Sequence, residues 1–175
     1  MKIDINKLKE GSTDEFEKFY NIYVNRIYTI IYRVVGNEAD AEDLTLEVMM
    51  KIYNKIRTFK GEAKLLSWVY RIAYNHGISH LRSQKKTESL DSLNYTIKSN
   101  REGQLKHLEE KEKRAFVRRK LMELPEKYRV AISLYHFNDL SYNEIADVMG
   151  EKIGTVKTYI HRGRKKLKIL VGELE

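Results

Sequence analysis

The stretch "LSYNEIADVMGEKIGTVKTYIHRGRKKLK", residues 140–168, carries the most specific pattern in the sequence. Ser141 and Glu144 have the spacing of a capping box, which predicts the start of a helix. Gly150 can adopt the left-handed conformation of a tight turn, and a second helix is predicted shortly after it. Two helices joined by a short turn that contains glycine form a helix-turn-helix.

The second helix combines an apolar face with a basic one. Val156, Ile160, Gly163 and Leu167 fall at spacings of four, three and four, which predicts that they pack inward. Residues 153–168 contain six Lys or Arg and no acidic residue. The side chains left outward are Thr155, Lys157, Thr158, His161, Arg162, Arg164 and Lys165. In a helix-turn-helix this second helix enters the major groove, where such side chains contact base edges and phosphates.

Two other interpretations of the basic helix are open. A charge run is usually a solvated surface, so a helical hairpin with a basic surface is one alternative. A helix that lies on a membrane needs large apolar side chains opposite its charges, whereas this helix has Val, Ile and Gly there. The complete pattern favours DNA binding over both.

The excess of basic side chains lies toward the C-terminal end of the chain, which suggests that this end binds a polyanion. The net charge is +8, and residues 112–175 hold 14 basic and 9 acidic side chains, against 13 and 11 in residues 1–82. The chain contains no cysteine, which excludes disulfides and thiolate metal sites. Neither a secretory signal nor an apolar stretch of membrane-spanning length is evident, so we expect a soluble, cytoplasmic protein.

The rest of the sequence predicts an all-α fold. Apolar residues recur with helical period, and alternating strand patterns are scarce. Residues 84–107 are polar and lack a sustained apolar stripe, so we expect a linker between two small helical domains, residues 1–83 and 108–175. The second of these domains contains the helix-turn-helix. Gly77 lies inside a predicted helix, where it costs about 1 kcal/mol relative to Ala.

An acidic stripe marks the helix predicted after Asn37. Asp40, Asp43 and Glu47 fall at spacings of three and four, so they share one side of it. The predicted inner stripe is Ala41, Leu44, Val48, Ile52 and Ile56. Apolar residues outside that stripe are Leu46, Met49, Met50 and Tyr53. Acidic groups beside surplus apolar groups predict a docking face for a basic partner, although a solvated helix turn would look similar.

The following helix has a polar and aromatic outer stripe. Its members are Arg71, Tyr74, Asn75, Ser79 and Arg82, with Trp68 and Tyr70 nearby and Phe59 and Lys60 in the preceding loop. Aromatic groups beside Arg and Asn can stack on unpaired bases and hydrogen-bond their edges. Burial of Trp68 in the core is the alternative. His76 and His80 are four residues apart but lack the Glu of a zincin helix, and no motif predicts catalysis.

Three segments resemble the extracytoplasmic-function sigma factors of bacterial RNA polymerase. They are "NEADAEDLTLEVMMKIYNKI" at 37–56, "FKGEAKLLSWVYRIAYNHGISHLR" at 59–82 and "LPEKYRVAISLYHFNDLSYNEIADVMGEKIGTVKTYIHRGRKKL" at 124–167. The resemblance implies a transcription initiation factor with no catalytic site, cofactor, metal or small-molecule substrate. Its implied partners are core polymerase, through the clamp helices of the largest subunit and the flap, and promoter DNA. An anti-sigma factor, often membrane-bound, is a further implied partner.

The resemblance also assigns roles to single residues. Polymerase docking is implied for Asp40, Asp43, Leu46, Glu47 and Met50. Contact with the −10 element is implied for Phe59, Lys60, Gly61, Ala63, Trp68, Arg71, Tyr74 and Asn75. Contact with the −35 element is implied for Thr155, Lys157, Thr158, His161, Arg162 and Arg164. The chain departs from the usual family residues at Leu46 (often Gln), Ser79 (often Asp), and Tyr74 and Tyr159 (often Arg).

A regulator of another class is the competing hypothesis. An activator with a helix-turn-helix output domain would also carry the basic helix. It would bind its operator without polymerase and would have a ligand pocket or phospho-acceptor within residues 1–82.

Overall fold

The computed structural model describes residues 3–88 and 108–172. The helices are α1 (Ile5–Glu10), α2 (Thr13–Val35), α3 (Glu38–Lys55), α4 (Leu65–Glu88), α5 (Leu108–Met122), α6 (Glu126–Phe137), α7 (Tyr142–Met149) and α8 (Ile153–Gly172), with a 3-10 turn at Ile56–Thr58. Every regular element in these residues is helical, which confirms the predicted all-α class. None of these helices combines the length and apolar character needed to cross a lipid bilayer.

Helices α2, α3 and α4 form the N-terminal unit. The predicted inner stripe of α3 is buried from Ala41 to Ile56. Met49, predicted to lie outside that stripe, is only 3% exposed, so that prediction was wrong. Gly36 ends α2 with φ 81°, and the Asn37 side chain accepts hydrogen bonds from the first backbone amides of α3.

Gly77 permits α4 to cross α2 closely. A Cβ at this position would lie 2.9 Å from Val34 Cγ1, well inside van der Waals contact. Helix α4 therefore continues through the glycine to Glu88, because the close approach compensates for its poor helix propensity. The helix extends five residues past the predicted boundary at residue 83. The rest of the predicted linker, residues 89–107, lies outside the described residues.

The C-terminal unit contains the predicted helix-turn-helix. Ser141 Oγ accepts from Glu144 N, and Glu144 Oε2 accepts from Ser141 N at 2.8 Å, which completes the capping box of α7. Gly150 ends α7 with φ 65°. A Cβ at Gly163 would lie 2.6 Å from Ile132 Cδ1, so α8 packs closely on α6. In the N-terminal unit, Ser12 and Glu15 also have capping-box spacing, but only half of that box forms: Ser12 Oγ accepts from Glu15 N, whereas Glu15 Oε1 accepts from Asp4 N and not from Ser12 N.

The two units pack against each other. Helix α6 contacts α2, and α7 contacts α4, so that a single cluster of buried side chains extends across both units. Arg129 of α6 donates to the carbonyl oxygens of Arg33 and Val34, two acceptors at the C-terminal end of α2. We refer to this packing of α6 and α7 on α2 and α4 as the closed arrangement.

Candidate nucleic-acid and protein-docking surfaces

The basic face of α8 is exposed, as the periodicity predicted. Val156, Ile160 and Gly163 are buried against the other helices of the unit. The exposed residues of the predicted site are Lys157, Thr158, His161, Arg162 and Arg164, while Thr155 is half-buried. The helix therefore presents a row of donors to solvent and rests on its apolar side, which is the placement that major-groove binding requires.

Arg164 is oriented by side chains of α6. Its Nε donates to His136 Nε2 at 3.0 Å, and its guanidinium lies 5.1 Å from the centre of the Tyr135 ring. Partial burial and the Arg164 charge lower the pKa of His136 below its ordinary value, which favours the neutral ring that can accept this bond. The contact holds a cation in place on the exposed side of α8.

Tyr159 organises the turn between α7 and α8. Its hydroxyl donates to Glu151 Oε1 at 3.1 Å, and Lys127 donates to the same oxygen at 2.9 Å. Lys127 also lowers the pKa of the Glu151 carboxyl, as expected for such a partner. The sigma factors that this sequence resembles often have Arg at this position. Tyr159 lacks that positive charge, and its hydroxyl instead links the turn to α6. Sequence reasoning noted the departure but not this role.

The face of α3 that the sequence predicts to bind a partner, called the docking face below, is also exposed. It comprises Asp40, Asp43, Leu46, Glu47 and Met50. Leu46 and Met50 are 58% and 61% exposed, which is unusual for large apolar side chains, and Asp43 and Glu47 lie beside them in solvent. Asp40 is half-buried.

Two of the three carboxylates on the docking face contact α4. His76 Nε2 lies 2.6 Å from Glu47 Oε2, and His80 Nε2 lies 3.5 Å from Asp40 Oδ2. Asp43 makes no ion pair within the described residues. The sequence pattern placed the carboxylates on one stripe, but it could not reveal these partners, which are about thirty to forty residues away along the chain.

The predicted −10 residues divide into exposed and covered groups. Exposed members are Lys60, Gly61, Ala63, Arg71 and Asn75. Phe59 is buried at 4% exposure and lies 5.4 Å from the half-buried Trp68, measured between ring centres. Trp68 is therefore neither fully buried nor fully exposed, and its ring packs on that of Phe59.

Tyr74 was expected to face outward, and in the closed arrangement it does not. It is 5% exposed, and its hydroxyl donates to Glu126 Oε1 at 3.4 Å. Burial, and then the charge of Glu126, raise the pKa of Tyr74 well above its usual range. Tyr74 is covered because the C-terminal unit lies on this side of α4.

Two further contacts join the same surfaces. Asn138 donates to the hydroxyl of Tyr70 at 2.6 Å, and Lys64 donates to Glu144 Oε1 at 3.0 Å. A carboxylate of α7 therefore holds the lysine at the end of the exposed loop 59–64. The closed arrangement covers part of the surface predicted to contact unpaired bases.

Two segments of the chain match described families. Residues 19–87 match the family described as "Sigma-70 region 2". Residues 117–167 match the family described as "Sigma-70, region 4". The first segment contains the docking face and most of α4, and the second contains the helix-turn-helix.

Known sigma factors are similar in sequence to this chain over nearly its whole length. The ECF RNA polymerase sigma factor SigW of Bacillus subtilis (strain 168) is 34% identical over 177 residues, covering 96% of this chain and 95% of the relative. The ECF RNA polymerase sigma-E factor of Escherichia coli (strain K12) is 28% identical over 172 residues, covering 93% and 90%.

Two solved structures share the fold. The sigma factor RpoE, crystallised with the anti-sigma factor NepR from Bartonella quintana, matches with a TM-score of 0.74 at 22% identity, covering 93% of this chain and 100% of that one. CnrH in complex with the cytosolic domain of CnrY matches with a TM-score of 0.67 at 16% identity, covering 98% and 96%.

Proposed function

Because the chain belongs to the extracytoplasmic-function sigma factors of the sigma-70 family, we propose which of its surfaces carry each step of promoter-specific initiation. Such a factor binds core RNA polymerase and directs it to promoters through their −10 and −35 elements. Members of the family are initiation factors and not enzymes, and we propose that this chain has no catalytic activity of its own.

The observation that carries the proposal is a pair of exposed faces of opposite charge on different units. The docking face offers carboxylates around Leu46 and Met50, and it suits a basic partner with apolar groups of its own, such as the clamp helices of the largest polymerase subunit. The exposed face of α8 offers cations and hydroxyls to the −35 element. One molecule can therefore hold polymerase and promoter together.

Different side chains of α8 suit contacts to base edges and contacts to phosphates. Lys157, Thr158, His161 and Arg162 lie in the N-terminal half of α8, the half that faces base edges in a helix-turn-helix. Arg164, held against His136, suits a phosphate contact. The matching −10 surface is the loop 59–64 with Trp68, Arg71, Tyr74 and Asn75, where aromatic rings and donors can receive unpaired bases.

The domain plan follows the family matches. We propose that the N-terminal unit up to the end of α4 at residue 88 acts as sigma domain 2, residues 89–107 as a linker that threads through polymerase, and residues 108–175 as sigma domain 4, which also meets the flap. The family matches at 19–87 and 117–167 support this division. Since bacterial polymerase acts in the cytoplasm, we place the chain there.

An anti-sigma factor is a further proposed partner. Both structural relatives were solved with a partner chain, and the partner chain NepR is named as an anti-sigma factor. The same fold in this chain supports a partner of that class, often membrane-bound in the family.

The docking assignment is tested by capture of purified core polymerase on the immobilised chain. Asp43→Arg should weaken capture at least about tenfold, because it places a cation against a basic partner. Glu17→Arg makes the same change of charge on an exposed residue of α2, outside the docking face, and should leave capture unchanged. Equal capture by the Asp43→Arg variant and the unmodified chain would contradict the assignment.

A further inference from the structure

His76 lies between the docking helix α3 and the −10 helix α4. Its side chain is 16% exposed, so most of the ring is enclosed. Nε2 lies 2.6 Å from Glu47 Oε2, and Nδ1 lies 2.9 Å from Lys51 Nζ. Glu47 and Lys51 are one helical turn apart on α3, and the imidazole edge faces both of them.

These two contacts determine which nitrogen of the His76 ring carries the proton. A lysine ammonium has three donors and no acceptor, so Nδ1 of His76 must accept the bond from Lys51. The ring proton is therefore on Nε2, which donates to the Glu47 carboxylate. A ring held in one neutral tautomer by one neighbour becomes a directed donor to the other.

The contact is part of a series along α4. Residues 76, 80 and 84 are spaced by four, and all three side chains reach the acidic stripe of α3. Gln84 Nε2 donates to Asp40 Oδ2 at 3.3 Å, and His80 Nε2 lies 3.5 Å from the same oxygen without the alignment of a hydrogen bond. If residues 76, 80 and 84 only packed α4 against α3, apolar side chains would be sufficient. These three side chains are polar and contact carboxylates of the docking face.

We propose that His76 is a positioning residue for polymerase docking, which holds the Glu47 carboxylate in place for the partner. This rests on the proposed docking role of Glu47. The side chain of Glu47 is 61% exposed, and a glutamate that is free in solvent loses rotamer entropy when a partner fixes it. A carboxylate already held by an imidazole has lost part of that entropy before docking, so association costs less. Asp43, without such support, contributes charge alone.

The experiment measures the Kd of the full chain for purified core polymerase. His76→Ala should weaken binding roughly threefold to fivefold, the range expected for a solvent-accessible charged contact. His76→Gln keeps an N–H donor at a similar reach and should bind like the unmodified chain. Rescue by Gln separates positioning of Glu47 from a general effect of losing the ring, and thermal unfolding of each variant reports the fold.

A double-mutant cycle identifies the group through which His76 acts. Glu47→Ala, which removes the acceptor, should weaken binding alone, and His76→Ala should cause no further loss in that background. The proposal is overturned if His76→Ala binds as tightly as the unmodified chain, if His76→Gln loses as much as His76→Ala, or if the loss persists in the Glu47→Ala background. If Glu47→Ala binds normally, the docking role of Glu47 fails and the proposal fails with it. A weakened Glu47→Ala beside an unchanged His76→Ala overturns the His76 proposal alone.

Discussion

At the scale of single residues, Glu144 links local and tertiary structure. One carboxylate oxygen accepts from the backbone and hydroxyl of Ser141, and the other accepts from Lys64 of the N-terminal unit. The backbone bond from Ser141, then the hydroxyl, and then Lys64 lower the pKa of Glu144 from 4.5 to about 2. The same side chain thus caps the first helix of the helix-turn-helix and contacts the loop 59–64.

The lowered pKa predicts a pH dependence of stability. A carboxylate with a folded pKa below its unfolded value stabilises the fold above the unfolded pKa, near 4.5, and this contribution is lost as the pH falls toward 2. Glu144→Gln keeps a side-chain acceptor for the capping box but cannot titrate. Urea denaturation at pH 6 and pH 3 should show a smaller loss of stability for this variant than for the unmodified chain. An identical loss in both proteins would refute the account of Glu144.

At the scale of helices, the structure shows which features depend on local pattern and which depend on packing. The inner stripe of α3 and the outer face of α8 follow from the 3.6-residue period, so the sequence predicted both. The covering of Tyr74 and the partners of Glu47 depend on helices distant along the chain, and periodicity contains no information about them. Met49 is buried for the same reason, since neighbouring helices widen the inner face beyond a single stripe.

Two glycines of α8 provide a matched test of helix packing. A Cβ at Gly163 would meet Ile132 and Tyr128 of α6, whereas a Cβ at Gly154 has no atom within 4 Å. Gly163→Ala should therefore destabilise the fold by about 1–3 kcal/mol through overpacking. Gly154→Ala should stabilise it by about 0.5–1 kcal/mol through helix propensity. Urea denaturation measures both, and a stabilised Gly163→Ala variant would show that α8 does not cross α6 closely.

At the scale of the whole molecule, the closed arrangement cannot serve both promoter elements at once. Centres at −35 and −10 are about 25 base pairs apart, or roughly 85 Å of duplex at 3.4 Å per base pair. Helices α4 and α8 both pack against α7 in the closed arrangement. The proposed roles of α4 and α8 therefore require the two units to separate when polymerase and promoter are bound, which would also uncover Tyr74.

The interface between the units contains a feature that favours separation. Arg33 is buried there without an ion pair to a carboxylate among the described residues, whereas Arg129 donates to backbone carbonyl oxygens. Burial lowers the pKa of the Arg33 guanidinium to about 10, its Nη1 bonds to the sulfur of Met122, a weak acceptor, and its Nε has no hydrogen-bond partner. A buried cation with such weak partners opposes the apolar packing around it, so the closed arrangement is stabilised less than its apolar burial suggests.

Separation is measurable by energy transfer between two dyes. The chain has no cysteine, so Glu17→Cys on α2 and Ile169→Cys on α8 introduce unique labelling positions on exposed residues of the two units. Adding core polymerase should lower the transfer efficiency as the units move apart. Unchanged efficiency in a complex that is active in transcription would contradict the expected opening.

Run-off transcription tests whether one molecule joins polymerase to promoter through its two exposed faces. Purified chain and core polymerase should produce discrete transcripts from a subset of promoters in a genomic library. Lys157→Ala or Arg162→Ala should reduce promoter selection, because a hydrogen bond to a base edge is worth about 1–3 kcal/mol of discrimination. If no promoter is transcribed above the level of core polymerase alone, while the same core preparation responds to another sigma factor, the account is contradicted.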